Sequence, residues 1–265
     1  MISFDLRGKH GLVLGGRSER RWGSGLLAAG LVASLMTIAA PPAQAATLVA
    51  LWHMDEAESG TEIMLDCATA DGANDGTTSN VVAGDSGDPT VSETECDEAP
   101  DQTPGGNHGY FFDGTSPPSE VTVPDAPSLN PGSANFSFTA HVNFITHPSA
   151  TSDYGVIRKG PGRSQHYKME LKPNKTRTRT RARCSFSGSS GRTTITKGPN
   201  LIDGWHTVTC FKTSNQVGVR VDGVSFTKNF TIGSITNNSP VNIGRNEDGD
   251  DQYFGNMDEV SISIG

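Results

Sequence analysis

Between residues 46 and 157 the chain has no lysine and no arginine, against eighteen Asp and Glu. From residue 158 onward sixteen Lys and Arg stand against nine acids, and the whole chain carries a formal net charge of −8. A protein so short of positive charge does not gather nucleic acid by bulk attraction, so no nucleic-acid partner is expected. Long apolar runs are equally scarce. One extends over about residues 25–40, shorter than the ~20 residues a bilayer span requires, and no second one follows. The body of the protein is therefore expected to lack a membrane span. Neither a Gly-x-Ser-x-Gly elbow nor a His-Glu-x-x-His helix occurs, which removes the usual serine-hydrolase and zinc-protease signatures. Cysteine is limited to four residues whose spacing fits no zinc site.

What is present begins with a leader. Arg17, Arg20 and Arg21 precede the apolar run, and Ala43-Gln44-Ala45 supplies a small-x-small cleavage site. Residues 1–45 read as a removable export signal rather than an anchor. Arg20-Arg21 also suggests a twin-arginine route, although Trp22-Gly23-Ser24 continues it poorly. Removing the leader takes away five basic and two acidic residues, so the net charge becomes 16 − 27 = −11. The remainder, residues 46–265, is expected to be one secreted, extracellular domain. It holds Cys67, Cys96, Cys184 and Cys210, and an even number behind an export signal points to disulfides. Of three possible connectivities, Cys67–Cys96 with Cys184–Cys210 is favoured. The second would bridge neighbouring strands over residues 183–186 and 207–212, and the first would pin an acidic insertion near residues 84–107 to the loop before it.

The last quarter consists of short extended pieces. Trp205-His206-Thr207-Val208, Val219-Arg220-Val221-Asp222-Gly223-Val224, Asn242-Ile243-Gly244-Arg245-Asn246 and Phe254-Gly255-Asn256-Met257-Asp258-Glu259-Val260 follow at short intervals. Val217, Val219 and Val221 alternate with Gly218 and Arg220, and Asp222-Gly223 supplies the positive-φ pair of a tight hairpin. The pattern is all-β. In order and spacing these pieces resemble the laminin-G-like branch of the concanavalin A-like lectin/glucanase superfamily. Leu51-Trp52-His53-Met54-Asp55-Glu56 resembles the opening strand of that family, residues 66–76 its Asp/Gly/Asn loop, and Gly109-Tyr110-Phe111-Phe112-Asp113-Gly114 the strand that follows. The acidic insertion has no counterpart in this correspondence.

The resemblance implies a two-sheet antiparallel jelly-roll sandwich. It also frames the search for a site. Active glucanases of the superfamily place two or three carboxylates on one strand as Glu-x-Asp-x-x-Glu, because acid and nucleophile must flank one glycosidic bond. No such strand is found. Lyases sharing the fold use a Tyr/His/Arg set, for which Tyr167, His166 and Arg158 form a fragment without the flanking motifs. Arg177, Arg179, Arg181 and Arg183 occupy every second position before Cys184-Ser185-Phe186. In an extended strand they share one face and form either a strip for a polyanion, where planar guanidinium groups suit carboxylate and phosphate, or a solvated face balanced by acids from the front of the chain. Tyr154, Tyr167 and Tyr253 are candidates for an aromatic platform under a sugar.

A metal enters through Asp258. It shares strand parity with Val260, Ile262 and Ile264, so it is expected to point inward, and a buried carboxylate needs a cation or several N–H donors. The resemblance implies a structural Ca²⁺ at this place, with Asp55 and Asp66 as further ligands beside backbone carbonyls. The competing expectation is that Asp258 caps backbone amides and that Asp55 and Asp66 close Asx-turns. Three functions remain open. They are a non-catalytic module for an extracellular glycan or cell-surface polymer, a protein-adhesion or surface-structural domain, and a degenerate or unrecognised polysaccharide hydrolase or lyase.

Overall fold

The computed structural model describes residues 46–56, 62–68, 74–91, 107–114, 117–149, 152–246 and 250–265. The predicted export signal, Cys96 and residues 92–106 of the acidic insertion lie outside the described residues. In chain order the strands are β1 (Thr47–Trp52), β2 (Ile63–Met64), β3 (Gly76–Ser79), β4 (Val81–Ser86), β5 (His108–Phe112), β6 (Glu120–Val123), β7 (Phe136–Phe144) and β8 (Tyr154–Lys159). They continue with β9 (His166–Pro173), β10 (Thr180–Gly188), β11 (Gly191–Thr196), β12 (His206–Lys212), β13 (Gln216–Val221), β14 (Val224–Asn229), β15 (Val241–Ile243) and β16 (Gly255–Ile264). One turn of 3-10 helix, Pro127–Leu129, sits between β6 and β7.

Local sequence explains most of this. Along β7, Phe136, Phe138, Ala140, Val142 and Phe144 are buried, and the four residues between them are half-buried. This is the period-2 signature of a strand with one face on a core. Val221 pairs with Val224, and Asp222 and Gly223 take φ values of 49° and 81°, the two positive-φ positions of a type I′ hairpin. The opening strand, by contrast, stops at Trp52. His53 to Glu56 leave the sheet beyond it, with Met54 at a φ of 61°.

The strands form two antiparallel sheets. The first runs β14-β13-β12-β7-β16-β5-β4, with β1 also paired to β16, and the second runs β11-β10-β9-β8-β15-β6-β3-β2. This is the jelly-roll sandwich the sequence implied. Its core is made where the inner faces meet. Phe136 and Phe138 of the first sheet pack on Tyr167 and Phe186 of the second, with ring centroids 5.0 to 6.1 Å apart. Aromatic pairs at such distances add to the burial of their large apolar area.

Cys184 and Cys210 are bonded, with a Cα separation of 5.6 Å. Here the structure corrects the expected geometry. The two cysteines do not sit on neighbouring strands: β10 belongs to the second sheet and β12 to the first, so the bridge is a strut through the core beside the aromatic cluster. No free cysteine occurs among the described residues, while the expected partner of Cys67, Cys96, lies outside them. The uneven charge of the sequence also resolves in the fold. Asp125, Glu120 and Asp153 from the front of the chain pair with Lys159, Arg245, Lys172 and Arg183 from its back.

Closing a loop across 26 residues stabilises the folded chain by about 3 kcal/mol in the loop-entropy account. Replacing both Cys184 and Cys210 by Ala should lower the unfolding free energy by at least that amount, as read from urea denaturation. An unchanged midpoint would contradict the role of the strut.

Candidate functional site

The outer face of the second sheet is recessed and polar. Tyr167, Met169 and Leu171 of β9 point into the core, so His166, Lys168, Glu170 and Lys172 face away from it. Opposite them on β10 lie Ser187, Ser185, Arg183 and Arg181, and on β8 Arg158 stands beside Lys168. Although they face away from the core, His166, Glu170, Ser185, Ser187, Arg158 and Asn242 are buried. Gly155 shows one wall of the recess. It pairs with Glu170 on this face, and a Cβ there would meet Arg245 at 3.0 Å and Asp251 at 3.1 Å.

The polar floor is internally bonded. His166 Nδ1 lies 3.0 Å from the Ser164 carbonyl and Nε2 lies 3.2 Å from Ser185 Oγ. Burial drives its imidazole pKa down; the Ser164 carbonyl opposes the shift, and the charges of Arg192, Lys168 and Arg158 reinforce it, leaving a pKa of about 4. Glu170 is a brace. It pairs with Lys168, and Arg183 Nε approaches it at 3.0 Å without hydrogen-bond alignment. Arg183 also donates to Asp153 at 2.9 Å.

The four-arginine strip does not form as expected. Its alternation requires one continuous strand, but β10 starts only at Thr180. Arg177 lies in the preceding turn with a φ of 56°. The turn is built around Asn174, whose Oδ1 accepts from the Thr178 and Arg179 amides and whose Nδ2 donates to the hydroxyls of Thr176 and Thr178. Arg181 and Arg183 do share the outer face, and Arg183 is committed to its two carboxylates. The remaining arms, Arg179 and Arg181, line a cleft of about 290 Å³ with Lys172, Pro173, Asn174, Thr196 and Asn200. The sequence reading missed the last five of these. Their only sequence signal is a Pro-Asn turn after β9, since Thr196 and Asn200 reach the cleft through sheet pairing.

The tyrosines are corrected too. Tyr167 and Tyr253 are fully buried and Tyr154 nearly so: Tyr154 and Tyr167 fall on the core-facing parity of β8 and β9, and Tyr253, in the loop before β16, packs its ring on Phe112 and Tyr154. Tyr167 donates its hydroxyl to the Leu129 carbonyl and Tyr253 to that of Asn256. They are core residues with satisfied hydroxyls and offer no platform to a ligand.

Asp258 is buried, but not by the route its parity suggested. Met257 pairs with Val142 and Asp258 with His141, after which a bulge at Glu259, φ 48°, shifts the register so that Ile262 pairs with Phe138. A bulge re-aims the following side chains. Asp258 therefore shares the outer face of the first sheet with His141, and the segment carrying Asp88 covers it. The Asp88 amide donates to Asp258 Oδ2 at 2.8 Å, and the Asp88 carboxylate holds His141 at 2.8 Å. Burial raises the Asp258 pKa to about 7 despite that amide, with the charges of Asp55 and Glu259 adding to the shift. Asp55 is raised to about 6, again by burial first.

These groups test the calcium expectation. Asp258 and Asp55 are both desolvated, and the charge of Asp55 adds to the rise at Asp258; such carboxylates suit a hard, oxygen-seeking cation, so the two fit the role together with backbone carbonyls. Asp66 does not. Its carboxylate accepts from the Leu51 and Ala68 amides and from Asn74 Nδ2 at 2.8 to 3.0 Å, which makes it a clamp for the loop after β2. Among the described residues no three His, Cys, Asp or Glu side chains converge on one point, so carbonyl oxygens would have to complete any such site.

A family model described as the concanavalin A-like lectin/glucanases superfamily, of laminin-G type, matches residues 113–263. The match spans more than half of the chain, and the protein belongs to this superfamily. No curated protein matches it. Among solved structures, the binding domain of Paraclostridial mosquitocidal protein 1 is 14% identical with a TM-score of 0.51, over 82% of this chain and 48% of that one. The binding domain of botulinum neurotoxin DC is similar in two of its complexes. Its complex with SialylT is 10% identical with a TM-score of 0.52, over 82% and 47%. Its complex with rat synaptotagmin II is 11% identical with a TM-score of 0.51, over 82% and 48%. The chain thus spans about half the length of these structures, and at such identities the likeness concerns the fold.

The lowered pKa of His166 has a consequence for stability. Between about pH 6.5 and pH 4 an unfolded chain binds a proton at this histidine that the folded chain does not. The stability it contributes is full above pH 6.5 and falls as the pH drops towards 4. Because Asp55 and Asp258 shift the opposite way, the comparison must be made between wild type and His166→Gln. Wild type should lose about 2–3 kcal/mol more than the variant from pH 7 to pH 4 in urea denaturation. Parallel pH profiles would contradict this.

Proposed function

We propose that the chain is a non-catalytic binding module whose ligand is an extracellular glycan, received on the outer face of β8, β9 and β10. The observation that carries this reading is the recessed polar floor of His166, Ser185, Ser187, Arg158 and Asn242. Pockets for small ligands are concave and fix their occupants through a few placed polar groups. Superfamily membership supports the reading, as does the complex of one structural relative with SialylT. The single carboxylate of β9, Glu170, is braced by Lys168 and Arg183, so it is not poised as half of a glycosidase pair. Protein adhesion is the second reading, suggested by the synaptotagmin II complex of a relative. Its mark would be a contiguous exposed apolar patch; the large exposed apolar side chains among the described residues are Leu48, Ile63, Val82, Ile145, Ile202 and Val224. Export through residues 1–45 belongs to the same proposal and agrees with a disulfide-bonded core.

A glycan screen with the purified chain tests the module. Binding to at least one glycan class, weakened tenfold or more by Ser185→Trp or Ser187→Trp through obstruction of the face, is expected. Absence of any glycan binding while a surface protein is retained would favour adhesion.

Asp258 and Asp55 are proposed to hold one structural Ca²⁺, which would neutralise two carboxylates whose charged forms burial otherwise disfavours. A ligand of the folded state raises the melting temperature with its concentration. Calcium should therefore stabilise wild type and leave Asp258→Asn unmoved, and in chelator at pH 8 Asp258→Asn should melt no lower than wild type. An equal response of both proteins to calcium would remove Asp258 from the site.

A further inference from the structure

The cleft at the β9–β10 hairpin stands apart from the chemistry of the rest of the chain. Its rim carries Lys172, Arg179 and Arg181, and the adjoining turn adds Lys175 and Arg177, in a protein whose formal charge is −8. Lys172 is partly offset by Asp153, at 2.7 and 3.0 Å. Arg179 and Arg181 have no carboxylate partner among the described residues. Arg181 is instead aimed by an uncharged group: its Nε donates to Asn200 Oδ1 at 3.1 Å, which leaves its two terminal nitrogens to present a fork. Arg179 leaves the turn at a point held by its own amide on Asn174 and by its carbonyl, which accepts from the Asn174 amide at 2.8 Å. The hairpin thus keeps two unneutralised guanidinium groups over one small cavity.

We propose that this cleft binds the acidic group of a carboxylate- or sulfate-bearing sugar residue, making the module selective for anionic glycans. The proposal rests on the glycan reading above and deepens it. Paired guanidinium groups recognise such an anion through parallel charge-assisted hydrogen bonds. The other lining groups suit the rest of a sugar ring. Asn174, Asn200 and Thr196 offer amide and hydroxyl partners to ring hydroxyls, and Pro173 supplies an apolar edge. A volume of about 290 Å³ lies at the small end of ligand pockets, suited to one residue of a chain whose remainder extends over the polar floor towards Ser185 and Ser187. Nucleic acid is disfavoured because none of the lining residues is aromatic and bases need stacking platforms. A protein hot spot is disfavoured because the lining offers no large apolar side chain.

Titration calorimetry on the full chain decides the matter, with a galacturonate trimer, a sulfated galactose trimer and a neutral galactose trimer as probes at low salt. At least one acidic trimer should bind, the neutral one at least tenfold more weakly, and binding should weaken as salt rises. The double variant Arg179→Gln, Arg181→Gln should lose at least tenfold in affinity for the acidic trimer. The control Arg220→Gln, an exposed arginine on the other sheet, should lose less than twofold, and circular dichroism should show all three proteins folded alike. Carboxylate and sulfate are told apart by which trimer binds more tightly. Three results would overturn the inference: neither acidic trimer binds, the neutral trimer binds as well, or the double variant binds as wild type does. Binding of neutral glycans, or acidic binding indifferent to Arg179 and Arg181, would sink this cleft while leaving the glycan module standing. Only an empty glycan screen removes both.

Discussion

Contact between the inner faces of the two sheets, through Phe136, Phe138, Tyr167 and Phe186 and beside the Cys184–Cys210 strut, is the constraint on which the rest of the structure depends. Once Tyr167 and Phe186 are committed to that contact, the alternate residues of β9 and β10 must face outward. His166, Lys168, Ser185 and Ser187 are thereby placed side by side without any further instruction. The polar floor is the geometric complement of the core.

Charged groups that fall on the core-facing side of their strands, Lys159 opposite Tyr167 and Lys212 opposite Phe136, are accommodated by pairing them. Lys159 is fully buried yet donates to Asp125 at 2.5 Å and to the Ser239 carbonyl at 2.6 Å. Lys212, whose pKa burial lowers, donates to the carbonyls of Ser133 and Ala134. Burying a charge without such partners would cost several kcal/mol. The same principle separates the braces from the binding groups. Glu170 pairs with Lys168 and Arg183 with Asp153, whereas Arg179 and Arg181 face the cleft without a carboxylate partner among the described residues. The acids of the front half and the cations of the back half, so unevenly spread along the sequence, are the two sides of these pairs.

Strand β16 shows how one residue redirects a site. Its first part pairs with β5 and its second with β1, with β7 running along the other edge. The bulge at Glu259 falls where one partner gives way to the next. As a result Asp258 lies beside His141 on the outer face under the Asp88 segment, rather than entering the apolar interior. There the bonds to Thr90 and His141 outweigh burial and lower the Asp88 pKa, while Asp258 and Asp55 stay high.

Local pattern by itself determined the all-β class and the Asp222-Gly223 hairpin, because alternation and positive-φ turns are encoded within a few residues of one another; the favoured Cys184–Cys210 pair forms, but between the sheets rather than between neighbouring strands. Even the family was legible, from the order of short pieces. Parity failed wherever the chain departed from a regular strand. A turn broke the arginine strip before Thr180, and a bulge reversed the expected direction of Asp258. It also failed for tyrosine, since a sequence shows that Tyr167 lies in a strand but not which parity meets the opposite sheet, nor that the loop before β16 buries Tyr253. The cleft was decided by tertiary structure alone. Thr196 and Asn200 meet Lys172 and Arg181 only because β9, β10 and β11 lie side by side, and that register is set by a core whose contacts join residues far apart in the chain.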